Sequence, residues 1–265
     1  MLAEEKKRIC DAALQEYLTS GKSIRELNSV HLGVTRDFIG GYFLGKGIDI
    51  YTRKNHINDH IFDTIDTEEK AYWLGFLYAD GNVSLYNKSW KLELTLQEQD
   101  LEHLKKYSKF LDLRKEPVYR AITKAYRVSI SSRRVAEQLI SKGCIPKKSL
   151  VLKFPSHSIV PKELMRHFIR GYFDGDGCIS LRHNVYSIVP EVSLLGTKEF
   201  LEGLIEESNI NDCTTVKKDK RSLSNTYNLQ WHKKGSYEFL DYMYKDSTIY
   251  LQRKYDKYLL SIKEK

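Results

Sequence analysis

The chain contains one helical motif twice, and this repeat constrains its fold more than any other feature. Residues 73–81 read WLGFLYADG, and residues 169–177 read IRGYFDGDG. Each copy has an apolar run, small residues four positions apart and an Asp-Gly end. The final aspartates, Asp80 and Asp176, are 96 residues apart, which is roughly the size of a small domain. A repeat at this period predicts a fold that is built twice.

The residues after each motif carry the same succession of helix and strand patterns. In the first copy, apolar periodicity predicts helices at 68–79, 100–111 and 134–142, and strands at 83–86, 90–96, 118–122 and 126–131. In the second copy it predicts helices at 161–174, 197–207 and 236–244, and strands at 178–182, 190–195, 214–218 and 226–232. We therefore predict an α+β protein with two pseudo-symmetric αββαββα units, and a small helical domain before them.

The N-terminal segment, residues 1–50, predicts short helices at 3–18, 24–30 and 36–44. Two short helices joined by a glycine-containing turn are typical of a helix-turn-helix module, whose last helix enters the major groove by its first residues. Those residues are Thr35, Arg36 and Asp37. A helical cap on the main domain is the alternative. We expect residues 51–66 to be a linker, 67–158 the first repeat and 159–265 the second.

The overall charge suits a polyanionic partner. The chain has 43 Lys and Arg against 35 Asp and Glu, a net charge of +8, which favours binding to phosphates. Simple solubility is the alternative interpretation. No apolar run approaches the ~20 residues of a membrane span, and no signal pattern is present at the start. Four cysteines without a CxxC pair favour a reduced compartment, cytoplasmic or organellar, over secretion.

The predicted strands alternate, so that each sheet has one apolar and one polar face. Arg, Asn, Gln and Ser side chains on such a face can read base edges in a major groove, although a merely solvated face is the alternative. The candidate DNA-binding residues on these faces and in nearby basic segments are Ser84, Lys91, Glu93, Arg120, Lys124, Arg127, Ser129, Lys147, Lys148, Ser180, Arg182, Asn184, Lys217, Lys218, Asn228, Gln230, His232, Arg253 and Lys254.

The small residues of each motif predict close contact between the two motif helices. Gly75 and Ala79, like Gly171 and Gly175, lie one turn apart on the same helix face. Small residues at this spacing let two helix backbones approach closely. Pairing the two helices would bring their Asp-Gly ends together.

Two aspartates at those ends predict a metal site. Adjacent carboxylates repel, and a hard divalent cation such as Mg²⁺ relieves that repulsion. The glycines that follow let the chain leave the helix and bring backbone carbonyls near the same ions. For a single copy, a plain helix stop is the better interpretation, whereas two copies favour a functional site. The predicted ligands are Asp80 and Asp176, with the backbone at Ala79, Gly81, Gly175 and Gly177.

The two motifs resemble those of the LAGLIDADG homing endonucleases in their single-chain, two-repeat form. The resemblance covers roughly residues 67–265, and GCIPKKS (143–149) and YLQRKY (250–255) support it. It implies a saddle of sheets in the DNA major groove and Mg²⁺-dependent cleavage of both strands of a long, asymmetric duplex, leaving short 3′ overhangs. It also implies a monomer with two or three divalent ions shared between the repeats, for which Mn²⁺ or Ca²⁺ can substitute in binding.

This family places basic or amide side chains near the scissile phosphates, at the ends of core strands. The matching catalytic candidates are Gln97, Glu98 and Arg133 in the first repeat and Lys233 and Lys234 in the second. An ordinary phosphate contact or a solvated charge is the alternative for each.

The motifs differ where Tyr78 in one copy stands against Asp174 in the other, which predicts two unequal halves. A non-cleaving DNA-binding regulator and an intron maturase remain alternatives on the same scaffold. An intein is not expected, because no Cys or Ser starts the chain and no His-Asn pair ends it.

Overall fold

The computed structural model describes residues 3–20, 22–48, 57–87, 89–113, 115–183, 188–219 and 225–263. The chain divides into two units. One comprises Met1–Asn58 with Lys109–Lys115, and the other comprises Asp59–Ser108 with Glu116–Lys265. We call them the N-terminal unit and the repeat unit. Among the described residues, no helix combines the length and the apolar character that a membrane crossing requires.

In its described residues, the N-terminal unit contains the helices α1 (Ala3–Ser20), α2 (Ile24–Val30) and α3 (Arg36–Gly45). At the start of α2, Ser23 and Glu26 form a reciprocal capping box, and the Thr35 hydroxyl oxygen accepts from the Phe38 amide at 3.3 Å to cap α3. The helices enclose a small core of Cys10, Ala13, Tyr17, Leu27, Val34, Ile39 and Phe43. The three predicted helices are thus present.

The repeat unit has the same element order twice. Its first half contains α4 (Glu68–Asp80), β1 (Asn82–Tyr86), β2 (Ser89–Gln97), α5 (Leu101–Phe110), β3 (Val118–Arg120), β4 (Ala125–Ile130) and α6 (Arg133–Ser141). Its second half contains α7 (Met165–Asp176), β5 (Gly177–His183), β6 (Ile188–Gly196), α8 (Lys198–Ser208), β7 (Lys217–Lys218), β8 (Tyr227–Trp231), α9 (Lys234–Tyr244) and α10 (Gln252–Lys263). The predicted αββαββα order is confirmed in both copies.

Each half forms one antiparallel four-stranded sheet, with strand order β1-β2-β4-β3 in the first and β5-β6-β8-β7 in the second. The predicted alternation holds along β2, where Leu92, Leu94 and Leu96 are buried and Thr95 is exposed. Apolar residues on one face of the central strands β2, β4, β6 and β8 therefore form the core beneath the helices. The predicted α+β class is confirmed.

The structure differs from the prediction in one additional helix and in the bounds of several elements. Helix α10 is the additional one, and its buried residues are Lys254, Tyr258 and Ser261. Two of these three residues are polar, whereas the buried face of a core helix is usually apolar. The predicted strand at 214–218 is also shorter, since β7 covers only Lys217–Lys218 and a single bridge precedes it at Cys213.

Candidate active site at the paired helix ends

The two motif helices, α4 and α7, contact each other backbone to backbone. A methyl carbon placed on Gly75 would lie 2.0 Å from the carbonyl oxygen of Phe168, and one on Gly171 would lie 1.9 Å from that of Tyr72. Only a residue without Cβ fits at either point. The predicted close contact through small residues is confirmed, and it aligns the ends of the two helices.

The helix ends bring Asp80 and Asp176 together. A methyl carbon on Gly175, the residue before Asp176, would lie 3.2 Å from Asp80 Oδ2. Solvent reaches both carboxyls, yet protein surrounds them densely, and this desolvation raises the pKa of both. Desolvation, with the adjacent Asp80 carboxylate as the second cause, raises the pKa of Asp176 to about 6. The pair is therefore electrostatically strained when both members are charged.

A buried lysine lies behind each helix end. The Lys148 ammonium donates to the carbonyl oxygen of Gly81, and the Lys254 ammonium donates to those of Phe173 at 2.6 Å and Asp174 at 2.8 Å. The residues Lys148 and Lys254 are only 7% and 3% exposed. Both ammonium groups lower the pKa of the two aspartates and so offset part of the desolvation. Burial lowers the pKa of Lys254 itself to about 8.

The sequence assigned these two lysines to DNA binding, whereas the structure places them in the cluster with the aspartates. A signal for Lys254 lies in its spacing from Leu251, three residues before it, and from Tyr258, four residues after it, which is the spacing of one helix face. A lysine in the middle of such a face is rarely buried without a partner. Its partners are the two carbonyl oxygens at the end of α7.

The donor set at the helix ends fits a hard divalent cation. Two adjacent carboxylates with raised pKa values are the oxygen ligands that such ions prefer. Among the described residues, no group of three or more His, Cys, Asp or Glu that could hold a metal is found. A cation between Asp80 and Asp176 would therefore complete its shell with backbone carbonyls, water or phosphate oxygens. The carbonyl of Gly81, one predicted ligand, already accepts from Lys148.

The other catalytic candidates lie on the surface. Arg133 Nε pairs with Glu137 Oε1 at 2.7 Å, and Lys234 Nζ with Glu238 Oε1 at 3.3 Å, each within its own helix. The remaining three, exposed at the end of β2 and before α9, are Gln97, Glu98 and Lys233. Their catalytic role stays a prediction.

On the first sheet, the candidate DNA-binding residues share the polar face. Glu93 pairs with Ser129 across β2 and β4, and Glu93 Oε1 also lies 2.9 Å from Arg127 Nη1. Ser84 and Lys91 are paired across β1 and β2 on the same face. This face therefore presents donors and acceptors side by side. Arg120 ends β3, and Lys124 lies in the turn before β4.

The second sheet has a matching polar face. Ser180 pairs with Glu191 across β5 and β6, and Glu191 Oε1 lies 2.5 Å from Arg182 Nη2. The neighbouring strands add Asn228 and Gln230, with Lys217 opposite Asn228. Lys218 pairs instead with Tyr227, which places it on the opposite face.

The remaining candidates are dispersed. Exposed His232 lines an open groove of about 720 Å³ with Arg182, Lys233 and Lys234. Arg253 Nε contacts Asp100 Oδ1 at 3.0 Å, while exposed Lys147 precedes Lys148. In the N-terminal unit, Arg36 and Asp37 are exposed at the start of α3 and follow Thr35, its N-cap residue, in sequence. Asn184 lies outside the described residues.

Comparison with known proteins gives fold likenesses and one short sequence match. No protein-family model matches the chain. A probable translation initiation factor IF-2 of Methanocaldococcus jannaschii is 46% identical over 59 residues, which are 22% of this chain and 5% of that protein. The chain thus spans a small part of the length of this curated relative.

Among solved structures, the LAGLIDADG homing endonuclease I-LtrWI bound to target DNA is 12% identical, with 74% of this chain and 91% of that chain covered and a TM-score of 0.48. The chain is similar to LAGLIDADG homing endonucleases. The meganuclease I-AabMI bound to uncleaved DNA is 12% identical, with 72% and 88% covered and a TM-score of 0.48. The meganuclease I-SmaMI bound to uncleavable DNA is 12% identical, with 71% and 86% covered and a TM-score of 0.47.

Proposed function

We propose that the chain is a site-specific endonuclease that hydrolyses both strands of a long, asymmetric DNA duplex with the help of Mg²⁺, leaving short 3′ overhangs. The observation that carries the proposal is the pairing of Asp80 with Asp176 at adjoining helix ends, with a buried lysine behind each. The motifs that hold these aspartates are those that resemble the homing endonucleases.

The residues of the site divide the work between carboxylates and ammonium groups. Asp80 and Asp176 would hold the divalent cation, which supplies Lewis-acid stabilisation of charge on the scissile phosphate and the leaving oxygen. Lys148 and Lys254 add fixed positive charge where a phosphate gains negative charge. With a pKa of about 8, Lys254 can also exchange a proton near neutral pH.

The two polar sheet faces suit the two halves of a DNA site. The first face carries its hydrogen-bonding groups on β2 and β4, and the second carries them on the equivalent strands β6 and β8. The chain also has a net charge of +8. Since the faces differ in sequence, they suit a target that is not a palindrome. We propose that the protein acts as a monomer and that α3 lengthens the contacted site through Arg36 and Asp37.

A cleavage selection tests the function directly. Purified protein is incubated with Mg²⁺ and a plasmid library that carries randomised inserts, and linearised molecules are recovered and sequenced. We expect enrichment of one long asymmetric sequence with short 3′ overhangs, and no linear product in EDTA. Duplex binding without cleavage in either Mg²⁺ or Mn²⁺ would instead indicate a regulator, and preferential binding of structured RNA in competition would indicate a maturase.

Cation binding is testable without a DNA target. At Ca²⁺ concentrations ~100 times the Kd, binding to the folded state alone adds about 2.7 kcal/mol, which raises the Tm of a domain of this size by roughly 5 °C or more. We expect this increase at pH 7.5 and a smaller one at pH 5, because the cation must then displace the proton from Asp176, whose pKa is about 6. Differential scanning fluorimetry measures both shifts.

Without the cation, the pKa of Asp176 determines the direction in which the stability of the folded state changes with pH. The folded pKa of Asp176 is about 6, above its ordinary value of 3.8. The proton on this group therefore stabilises the folded state fully below pH ~4, and that contribution is lost as the pH rises to ~6. In EDTA we expect the Tm to fall across this window relative to that of Asp176→Asn. Equal Ca²⁺-dependent rises in Tm at pH 5 and pH 7.5 would contradict a cation site at Asp80 and Asp176.

A further inference from the structure

Asp174, which stands where the first motif has Tyr78, anchors the segment between α9 and α10. Its Oδ1 accepts from the Tyr244 hydroxyl at 2.5 Å, and its Oδ2 accepts from the Leu251 amide at 2.7 Å. The same Oδ2 accepts from the hydroxyl of Tyr72 at 2.7 Å. Because Tyr72 belongs to α4, this buried carboxylate joins both motif helices to the segment that leads into α10.

Arg170, one turn earlier on α7, holds the same segment. Its Nη1 donates to the Met243 carbonyl and its Nε to the Ile249 carbonyl, both at 2.8 Å. Its Nη2 donates to Glu68 Oε1 at 2.7 Å, and that oxygen also accepts from the Thr248 amide at 2.8 Å. The segment is therefore fixed at both ends by buried hydrogen bonds and in the middle by the exposed Thr248–Glu68 hydrogen bond, all of them to charged side chains.

Lys254 follows this anchored segment directly. It lies three residues after Leu251, and its ammonium donates to the backbone carbonyl of Asp174 at 2.8 Å. Asp174 thus acts twice, since its side chain fixes the start of α10 and its backbone receives the lysine of that helix. A shift of the segment would move Lys254 relative to Asp176.

The first repeat achieves the equivalent arrangement by different chemistry. Tyr78, at the position of Asp174, donates its hydroxyl to the carbonyl of Lys142, six residues before Lys148. Gly143 follows with a φ of 95°, and a methyl carbon there would lie 2.1 Å from the Tyr78 hydroxyl oxygen. The Cys144 Sγ lies 3.4 Å from the carbonyl oxygen of Leu77. Two uncharged groups, the Tyr78 hydroxyl and the Cys144 thiol, therefore anchor the segment that leads to Lys148.

We propose that Asp174 is a positioning residue for Lys254 and that Tyr78 is the equivalent residue for Lys148, so that each lysine is positioned by an anchor of its own. The chemical role of the two lysines rests on the proposed function, but their positions in the fold do not. Active-site groups must be held within about 0.5 Å of their productive positions. Loss of either anchor would thus disable one half and leave the other intact.

Lysine reactivity tests the proposal without DNA. Reductive methylation with formaldehyde, followed by peptide mass spectrometry, gives the rate at each lysine, with exposed Lys147 as internal reference. In wild type we expect Lys148 and Lys254 to react far more slowly than Lys147. The Asp174→Asn variant should speed up Lys254 roughly tenfold through local opening and leave Lys148 within about twofold. The Tyr78→Phe variant should show the reverse.

Two outcomes overturn the proposal. One is an unchanged Lys254 rate in folded Asp174→Asn protein, and the other is an equal increase at both lysines, which would indicate general loosening. Should Asp174→Asn fail to fold, Tyr72→Phe and Tyr244→Phe each remove one hydrogen bond to the carboxylate and decide the question. Both should accelerate Lys254 alone, and unchanged rates would overturn the proposal.

Strand-resolved cleavage supplies the second readout. With each strand of the selected duplex end-labelled separately, Asp174→Asn should slow one strand by about tenfold or more, with the other strand and the Kd nearly unchanged. Tyr78→Phe should slow the opposite strand. Equal slowing of both strands would overturn the proposal. If the wild type cuts no duplex, the proposed function fails, and the methylation rates still judge the positioning role by themselves.

Discussion

Asp80→Asn and Asp176→Asn are each expected to abolish double-strand cleavage while DNA binding survives. Each substitution removes one of two carboxylates that face each other across the helix ends and replaces it with a neutral amide of the same shape. If the cation contributes about 4 kcal/mol to transition-state stabilisation, its loss slows the reaction about a thousandfold. Single-turnover cleavage and gel-shift titration on the selected duplex measure the two effects separately.

The same substitutions should stabilise the protein without cation. Burial and the adjacent Asp80 raise the pKa of Asp176 to about 6, so that the charged form destabilises the fold at pH 7.5. Removing that charge should raise the free energy of unfolding by about 1 kcal/mol, after allowance for solvent screening of an exposed carboxylate. The Ca²⁺-dependent rise in Tm should disappear at the same time. If either aspartate only supported the fold, its substitution would lower the stability of the protein together with its activity.

Asp256→Asn is the matched control. Asp256 is exposed on α10, where Gln252 Nε2 donates to its Oδ1 at 2.8 Å, and an amide oxygen can accept the same hydrogen bond. We expect wild-type cleavage, stability and Ca²⁺ response from this variant. Full double-strand cleavage by either Asp80→Asn or Asp176→Asn would refute the metal-site mechanism.

The repeated order and the contact between the motif helices were predictable because both follow from local sequence. Period-2 and period-3.6 patterns locate the strands and helices, and small residues four apart mark the closely packed face of a helix. Gly75 and Gly171 therefore identified the α4–α7 contact, and the Asp-Gly ends identified the acidic pair. The small-residue spacing and the Asp-Gly end can each be recognised from the residues of one motif helix and the residue that follows it.

The cluster around the aspartates was not predictable in the same way, because its members come together only in the folded chain. Lys254 lies 78 residues after Asp176 in sequence, and its burial depends on the packing of α10, whose buried residues include the polar Lys254 and Ser261. Three of the groups that Arg170 binds, on Glu68, Met243 and Ile249, come from residues more than 70 positions away. From sequence, Asp174 was a difference between two motifs. Its role as an anchor required the positions of Tyr72 and Leu251.

Gly75→Ala and Gly171→Ala are expected to destabilise the repeat unit strongly. The added methyl would lie 2.0 Å from a backbone oxygen of α7 in the first case and 1.9 Å from one of α4 in the second. A backbone oxygen cannot turn aside as a side chain can, so the helices must separate. Overpacking of this kind costs about 3 kcal/mol, which exceeds the roughly 1 kcal/mol that a Gly→Ala substitution gains in a helix. Chemical denaturation followed by circular dichroism gives the loss.

Separation of the helices should also impair the acidic pair, so we expect both variants to lose the Ca²⁺-dependent rise in Tm along with stability. Gly41→Ala is the control, because Gly41 lies within α3 and a methyl carbon there meets nothing within 4 Å. Its stability should stay unchanged or rise by up to about 1 kcal/mol, as helix propensity predicts. A loss below about 1 kcal/mol in Gly171→Ala, with the Ca²⁺ response retained, would show that the helix contact does not set the aspartate pair.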